Sequence, residues 1–394
     1  MKILMVLENQ FPDDERVEKE ALSLIKAGHE VHLLCATLKK ERVGDENYKG
    51  IKLHRTLSTP FLYNKAKIAC LRLPFYFMFW KKQVGNLLRT ETFDVIHIHD
   101  LPLAEVGYWA KKKFGISFVL DSHENYPYML DMAPYTKGIA GKLMYSFAAW
   151  KHYEREMIGK ADIVITVCKE MSDRMNDLVP RTYYHVDNTI SMELFPRPEP
   201  HPTTTGKIRL LYVGGITYHR GLQNVIKGLA LIKDKSKYSL DIYGKGAYAG
   251  DIKDLVLTLG LEEIVHFPGY LKFPAEAVKM CAYSLGVISN LRSVQTDCSS
   301  PNKIYQYFYY GLPVLVSDMD SVGNIVREHQ VGVVYKDNSP EDCARKLEQL
   351  VTLNLEDMAT RAHKLCLEQY NWDISVKQLI AAYESICGVF HVIA

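Results

Sequence analysis

No two of the chain's eight cysteines are spaced as CxxC. Cys35, Cys70, Cys168, Cys281, Cys298, Cys343, Cys366 and Cys387 are scattered without ligand spacing. That pattern fits free thiols in a reducing cytoplasm better than a disulfide framework or a structural zinc site. Net charge is nearly absent as well: 48 Lys+Arg against 46 Asp+Glu leave a formal +2, which gives no footing for a nucleic-acid partner. No apolar run is long enough to span a membrane. The opening KILMVL runs into acids without a small-residue cleavage site, so it reads as a first strand and not as a signal peptide. Short repeats and low-complexity tracts are missing. What remains, 394 residues with 47% hydrophobic and 24% charged, is a globular chain long enough for two domains.

Short β-rich apolar runs alternate with helical ones. In the first half the runs lie at 2–7, 30–36, 51–55, 94–99, 117–123, 162–167 and 182–188; in the second at 208–214, 238–244, 264–269, 285–290, 313–318 and 331–336. Most are nearly continuous apolar segments, as parallel strands covered on both faces require. Between the first two runs, Val17, Ala21, Leu24 and Ile25 form a helical stripe, with Gly28 at the C-cap. This is βαβ grammar, so two doubly wound parallel sheets are expected, with ligands at the carboxyl ends of strands and in a cleft. The Pro-rich stretch 196–206 reads as a hinge, dividing a domain 1–200 from a domain 201–371, with 372–394 as a final helix.

Two helix starts in the second half suit an anion. YVGGITYHRGL carries Gly214, Gly215 and Arg220; SSPNKIYQYFYYG offers Ser300 as a cap, Pro301 in the first turn, then Asn302 and Lys303. Ordinary capping with a solvated lysine explains either one; both in one domain favour a phosphate site. Gln306, one turn on, can reach a ribose. Gly244, Lys245 and Gly246 follow a strand but make GxGxxxG with Gly250, a poor dinucleotide fingerprint. In the first half, DVIHIHD and VLDSHE place His97, His99, Asp100, Asp121, His123 and Glu124 near strand ends. His97 reads as an interior histidine, whereas His99, Asp100 and Glu124 suit sugar orientation or proton transfer. HxH can chelate, but no third ligand is fixed by spacing. Asp318 and Asp320 form DxD, read as a chance match. Residues 61–90 hold six Lys/Arg, seven aromatics and no acid, which fits either adsorption on an anionic bilayer or a helix whose aromatics fill the core.

In their order, RVEKEALSLIKAGHEV, DVIHIHD, LDSHE, YVGGITYHRGL, IYGKG, HFPGY and PNKIYQYFYYGLPVLVSD resemble the retaining glycosyltransferases of family 4. The resemblance implies a GT-B fold, α/β with two Rossmann-like domains facing each other across a cleft, and the final helix packing back toward the N-terminal one. It implies sugar transfer with retention from a UDP- or GDP-linked donor to a saccharide or lipid-linked acceptor, as in bacterial surface-polysaccharide assembly. No metal and no other cofactor is expected, and a cytoplasmic place, peripheral to the membrane through 61–90. Arg220 would grip the donor diphosphate. His99 and Asp100 would face the transferred sugar, and Gly244–Gly246 with Tyr270 would lie near phosphates and base. The family's glutamate pair corresponds to Cys298 and Gln306 here, and its second cation to Gly215, with Lys303 able to compensate. Alternative readings are a non-hydrolysing sugar-nucleotide epimerase, a metal-dependent hydrolase and a non-catalytic nucleotide-sugar sensor.

Overall fold

The computed structural model describes residues 1–199 and 206–393, with the side chains of 140 and 387–393 outside the description. The hinge stretch therefore falls partly outside the described residues, as does the Cys387 side chain. The other seven cysteines are buried and form no disulfide among the described residues.

The first unit comprises Met1–Val186 together with Val376–Ala394. Its strands are β1 (Lys2–Leu7), β2 (Glu30–Thr37), β3 (Gly44–Tyr48), β4 (Ile51–Leu57), β5 (Val95–His99), β6 (Ser117–Ser122), β7 (Ile163–Thr166) and β8 (Tyr184–His185). They form one sheet in the order β3-β4-β2-β1-β5-β6-β7-β8, parallel except for the β3–β4 edge pair. The expected run at 182–188 shrinks to two residues in β8. β3, GDENY, is almost wholly exposed and went unforeseen, because a polar edge strand leaves no apolar pattern. Helix α1 (Glu15–Lys26) starts where the Asp14 carboxylate accepts from Val17 N at 3.2 Å. Its C-cap is Ala27, one residue before the glycine expected there. The same helix buries Arg16, Lys19 and Glu20 beside Val17, Ala21 and Leu24. Helix α2 (Phe75–Thr90) buries Tyr76, Trp80 and Val84 while Phe75 and Met78 stay 58% and 62% exposed. The core reading of 61–90 thus holds for one face of the helix, while the other is a wet apolar surface.

The second unit is Asp187–Ser375. The boundary expected at 200 moves to 186/187 because Ile190 and Phe195 pack into the second core. β9 (Ile208–Val213), β10 (Tyr238–Tyr243), β11 (Val265–Gly269), β12 (Leu285–Ile288), β13 (Val314–Ser317) and β14 (Gly332–Tyr335) form a fully parallel sheet in the order β11-β10-β9-β12-β13-β14. Chain order reverses between β9 and β12, and in the first sheet between β1 and β5. Such switch points open crevices at the strands' carboxyl ends. Helix α3 (Leu222–Leu231) follows β9. Helix α4 (Lys303–Tyr309) sinks Ile304, Tyr305, Tyr307, Phe308 and Tyr309 into the core, which anchors its first residue. The last helix, α5 (Trp372–Ile393), starts in the second unit, and its later turns count with the first. Among the described residues no helix is long and apolar enough to cross a membrane.

Candidate functional site

Two constellations lie at the two switch points. In the first unit, β5 and β6 end beside α1 in a cluster of charge with almost no solvent contact. Arg16 bonds Asp121 at 3.0 Å and the Val186 carbonyl at 2.7 Å, and pairs with Glu20 at 3.0 Å. On its other oxygen Asp121 meets His123 Nε2 at 2.7 Å, with His99 Nδ1 at 3.4 Å. His97 Nδ1 reaches the Tyr383 hydroxyl at 2.6 Å, so the first unit's C-terminal segment completes this cluster. Asp100 holds a left-handed φ of 69°; its N–H donates to the Asp121 carbonyl at 2.8 Å, and its carboxylate accepts from His123 N at 3.0 Å. Strain of this kind is stored where the surroundings over-determine a conformation.

The protonation pattern follows from this packing. Burial alone would raise the Asp121 carboxyl, yet Arg16 and His123 hold it well below the usual range. Burial works against the His123 imidazolium, but Asp121 and Asp100 raise it to about 10. Burial pushes Glu20 up to about 8 against the pull of Arg16. His99 falls to about 3 through burial and then its neighbour His97. The cluster is therefore a fixed cation–anion network in which His123 is the charged imidazole nearest the surface.

His97 and His99 are both 0% exposed. His99 therefore does not reach solvent as expected, whereas Asp100 and His123 do, with side chains 17% and 13% exposed. Glu124 is exposed one residue further on. Glu20, His99, Asp121 and His123 bring donor atoms close enough to hold a metal ion. The donor set does not fit one well, because Arg16 already engages both Glu20 and Asp121 and His123 carries a proton where a ligand needs a lone pair. A second such group, Glu30, His32 and Glu91, lies on the far edge and is engaged by Lys2 and Lys52.

In the second unit the opposite imbalance appears. Lys303 opens α4 with its Nζ shielded from solvent and without a hydrogen-bond partner, 4.1 Å above the Tyr212 ring. It faces Gly214, where an added Cβ would stand 3.6 Å from it. The charged side chain acting on it is Arg220, another cation. Neither has a carboxylate within ion-pair distance among the described residues. Arg220 acts on the lysine as a like charge and no described carboxylate answers either group, so the arrangement suits an anionic ligand.

The backbone around them is tightly tied. Gly221 follows Arg220 with φ +67°, its hypothetical Cβ 1.8 Å from the Ser289 carbonyl oxygen; Ser289 Oγ donates to the Arg220 carbonyl at 2.7 Å. The loops after β9 and β10 zip together through Gly214 N to Tyr243 O at 3.0 Å and Ile216 N to Lys245 O at 2.9 Å. A Cβ at Gly244 or Gly246 would fall within about 2 Å of the Gly214 or Ile216 carbonyl oxygens, so these glycines serve loop-on-loop contact. Gly215 is exposed and accepts from the Tyr212 hydroxyl at 2.7 Å through its carbonyl. Lys245 and Tyr270 stand together at the rim, 5.6 Å from ammonium to ring.

Ser300 does not cap α4. Its Oγ lies 2.8 Å from the Tyr305 hydroxyl, and Asn302 occupies the cap position without a side-chain bond. The helix is one short stretch of seven residues, so its dipole contributes little, and the lysine carries the argument instead. Gln306 is half-buried one turn beyond Asn302, and Cys298 is buried. Asp318 pairs with Arg327 and Asp320 with Arg292, so the DxD carboxylates are already engaged by arginines. The sequence did not single out Arg16, Glu20, Tyr383 or Tyr212. Only the i,i+4 pair Arg16/Glu20, set among the apolar stripe of α1, left a readable trace.

Comparison with known proteins follows this division. Residues 16–189 match the description Glycosyltransferase Family 4, and residues 197–365 match Glycosyl transferases group 1. An uncharacterized glycosyltransferase of Methanocaldococcus jannaschii is 23% identical over 386 residues, 92% of this chain and 92% of the relative. The alpha-monoglucosyldiacylglycerol synthase of Streptococcus pneumoniae is 22% identical over 354 residues, 85% of this chain and 75% of its own. Among solved structures, an E. coli trehalose-6-phosphate structure bound with UDP-2-fluoro glucose superposes with a TM-score of 0.72 at 12% identity, covering 98% of this chain and 99% of that one.

Proposed function

Because the chain belongs to the glycosyltransferases, of the family 4 type in its first half and group 1 in its second, we propose a reaction in which it transfers a sugar with retention. The donor is a nucleotide-diphosphate sugar, UDP- or GDP-linked, and the acceptor a saccharide or lipid-linked acceptor of cell-surface polysaccharide assembly. One observation carries the reading: Lys303 Nζ is buried without a partner beside the β9/β12 switch point, under the influence of the Arg220 charge, and no described carboxylate pairs with either. A diphosphate supplies the missing charge, and the same cations stabilise it as it departs. In the step, the anomeric carbon–phosphate oxygen bond breaks and the acceptor oxygen bonds the same face. The acceptor proton passes to the leaving diphosphate, so no covalent nucleophile is required. Gln306 is placed toward the ribose, and Ser300, Asn302, Gly214 and Gly215 shape the pocket wall. Gly244, Lys245, Gly246 and Tyr270 lie on the nucleotide side. Asp100, His123 and Glu124 orient sugar hydroxyls, with His99 and Asp121 fixing the imidazolium. No metal or other cofactor enters this chemistry.

We assign the wet face of 61–90 to peripheral contact with the cytoplasmic leaflet of a membrane: Phe61, Phe75 and Met78 are exposed beside the exposed bases Lys65, Arg72 and Lys82. The relative that makes a glycosylated diacylglycerol supports a lipid-linked acceptor.

Incubating the protein with UDP-glucose or GDP-mannose, with and without added EDTA, tests the reading. Slow release of free nucleotide, unaffected by the chelator, is expected. An isomerised sugar from donor alone would place the protein among epimerases, and loss of turnover with EDTA would overturn the metal-free mechanism.

A further inference from the structure

Lys303 is more than a spare cation. Its Nζ is enclosed although part of the residue reaches the surface, and among the described residues no oxygen or nitrogen accepts from it. It lies against the Tyr212 ring of β9 at 4.1 Å with the Gly214 backbone beyond, and the Arg220 charge acts on it from the 218–220 turn. On its own helix the Tyr307 hydroxyl is occupied, donating to the Leu211 carbonyl at 3.3 Å and accepting from Val213 N at 3.1 Å. Burial pushes Tyr212 up to about 12, so it stays a neutral phenol. A charged ammonium here would sit desolvated beside another fixed cation, with a single ring face in compensation. A cation–π contact, even when desolvated, offsets only part of the cost of an unpaired buried charge.

Resting on the diphosphate reading above, we propose that Lys303 is a neutral amine in the empty protein and takes a proton from solvent as the diphosphate binds. Nucleotide-sugar binding is thereby coupled to proton uptake. The amine lone pair accepts the proton, no bond to the ligand forms, and a site of charge +1 becomes +2 as two negative oxygens arrive. The direction agrees with the setting: burial and then Arg220 hold the amine well below its ordinary range. A diphosphate reverses both causes, replacing repulsion by attraction and supplying acceptors for the N–H groups. Linkage fixes the sign of the consequence: where one proton is taken up per ligand, affinity falls about tenfold for each unit that pH rises. As pH drops toward the amine's own titration, the lysine is charged before the ligand comes, and the uptake disappears.

The test is calorimetric titration of the full chain with UDP-glucose and with GDP-mannose, whose diphosphates do not titrate near neutrality. Each titration is run at pH 8 in buffers of different ionisation enthalpy. The slope of apparent enthalpy against buffer enthalpy counts protons. A slope approaching one proton taken up per ligand, lost in Lys303→Met, supports the proposal. Lys303→Met should also unfold no more readily than the wild type, since it removes an unpaired buried amine and conserves volume. Tight binding with zero slope in the wild type overturns the proposal and leaves the diphosphate reading standing. Failure of both donors to bind overturns both.

Discussion

At Gly221 the backbone turns through φ +67° against the Ser289 carbonyl, so a methyl group there meets both strain and a 1.8 Å clash. Gly221→Ala should cost about 2–4 kcal/mol in urea unfolding and misplace Arg220; a midpoint within error of the wild type would refute this. The His123 prediction is one of pH. Its imidazole is raised to about 10 in the folded protein, above the ~6.5 of an unfolded histidine. The stability it contributes is therefore complete below about pH 6.5 and lost as pH climbs toward 10. The stability gap between the wild type and His123→Gln should be widest near pH 6 and narrow by pH 10. A constant gap would show that His123 is neutral when folded. Arg220 and Lys303 were readable from the strand–loop–helix grammar around them. The neutrality of the lysine was not, because it depends on Tyr212 beneath it and on the absence of an acid nearby. Nor was the burial of His99, which arises where β5 and β6 pack under α1.

Among the elements, α2 offers the clearest contrast. Trp80 is 2% exposed and Phe75 58% on the same helix. Trp80→Ala should cost about 3–5 kcal/mol, and Phe75→Ser no more than about 0.5 kcal/mol. In vesicle flotation the order reverses. Phe61→Ser with Phe75→Ser should abolish binding to vesicles containing anionic phosphatidylglycerol, while melting stays unchanged; flotation of the double variant like the wild type would remove the membrane assignment. Periodicity announced α2 but not which aromatics stay wet, since that is decided by what α2 packs against. The central parallel strands were legible almost to the residue because both faces are buried and the apolar runs are continuous, whereas the edge strand β8 was not. β3 carries only polar residues and pairs through its backbone, so nothing in its side chains gave it away.

For the whole molecule, strand order is what sets the chemistry. Each sheet has a parallel switch point, and each switch point carries one constellation: an ionic network in the first unit and, in the second, Arg220 beside a buried lysine amine that no described residue pairs. The doubly wound class followed from alternating strands and helices. The boundary at 186/187 did not, because Ile190 and Phe195 precede the Pro-rich stretch yet belong to the second core. The central claim is that Arg220 and Lys303 together hold a diphosphate, and equilibrium titration with the donor that binds the wild type measures it most directly. Arg220→Ala and Lys303→Met should each weaken binding by about tenfold or more, the scale of one charge-assisted hydrogen bond. Wild-type affinity in both variants would contradict the account.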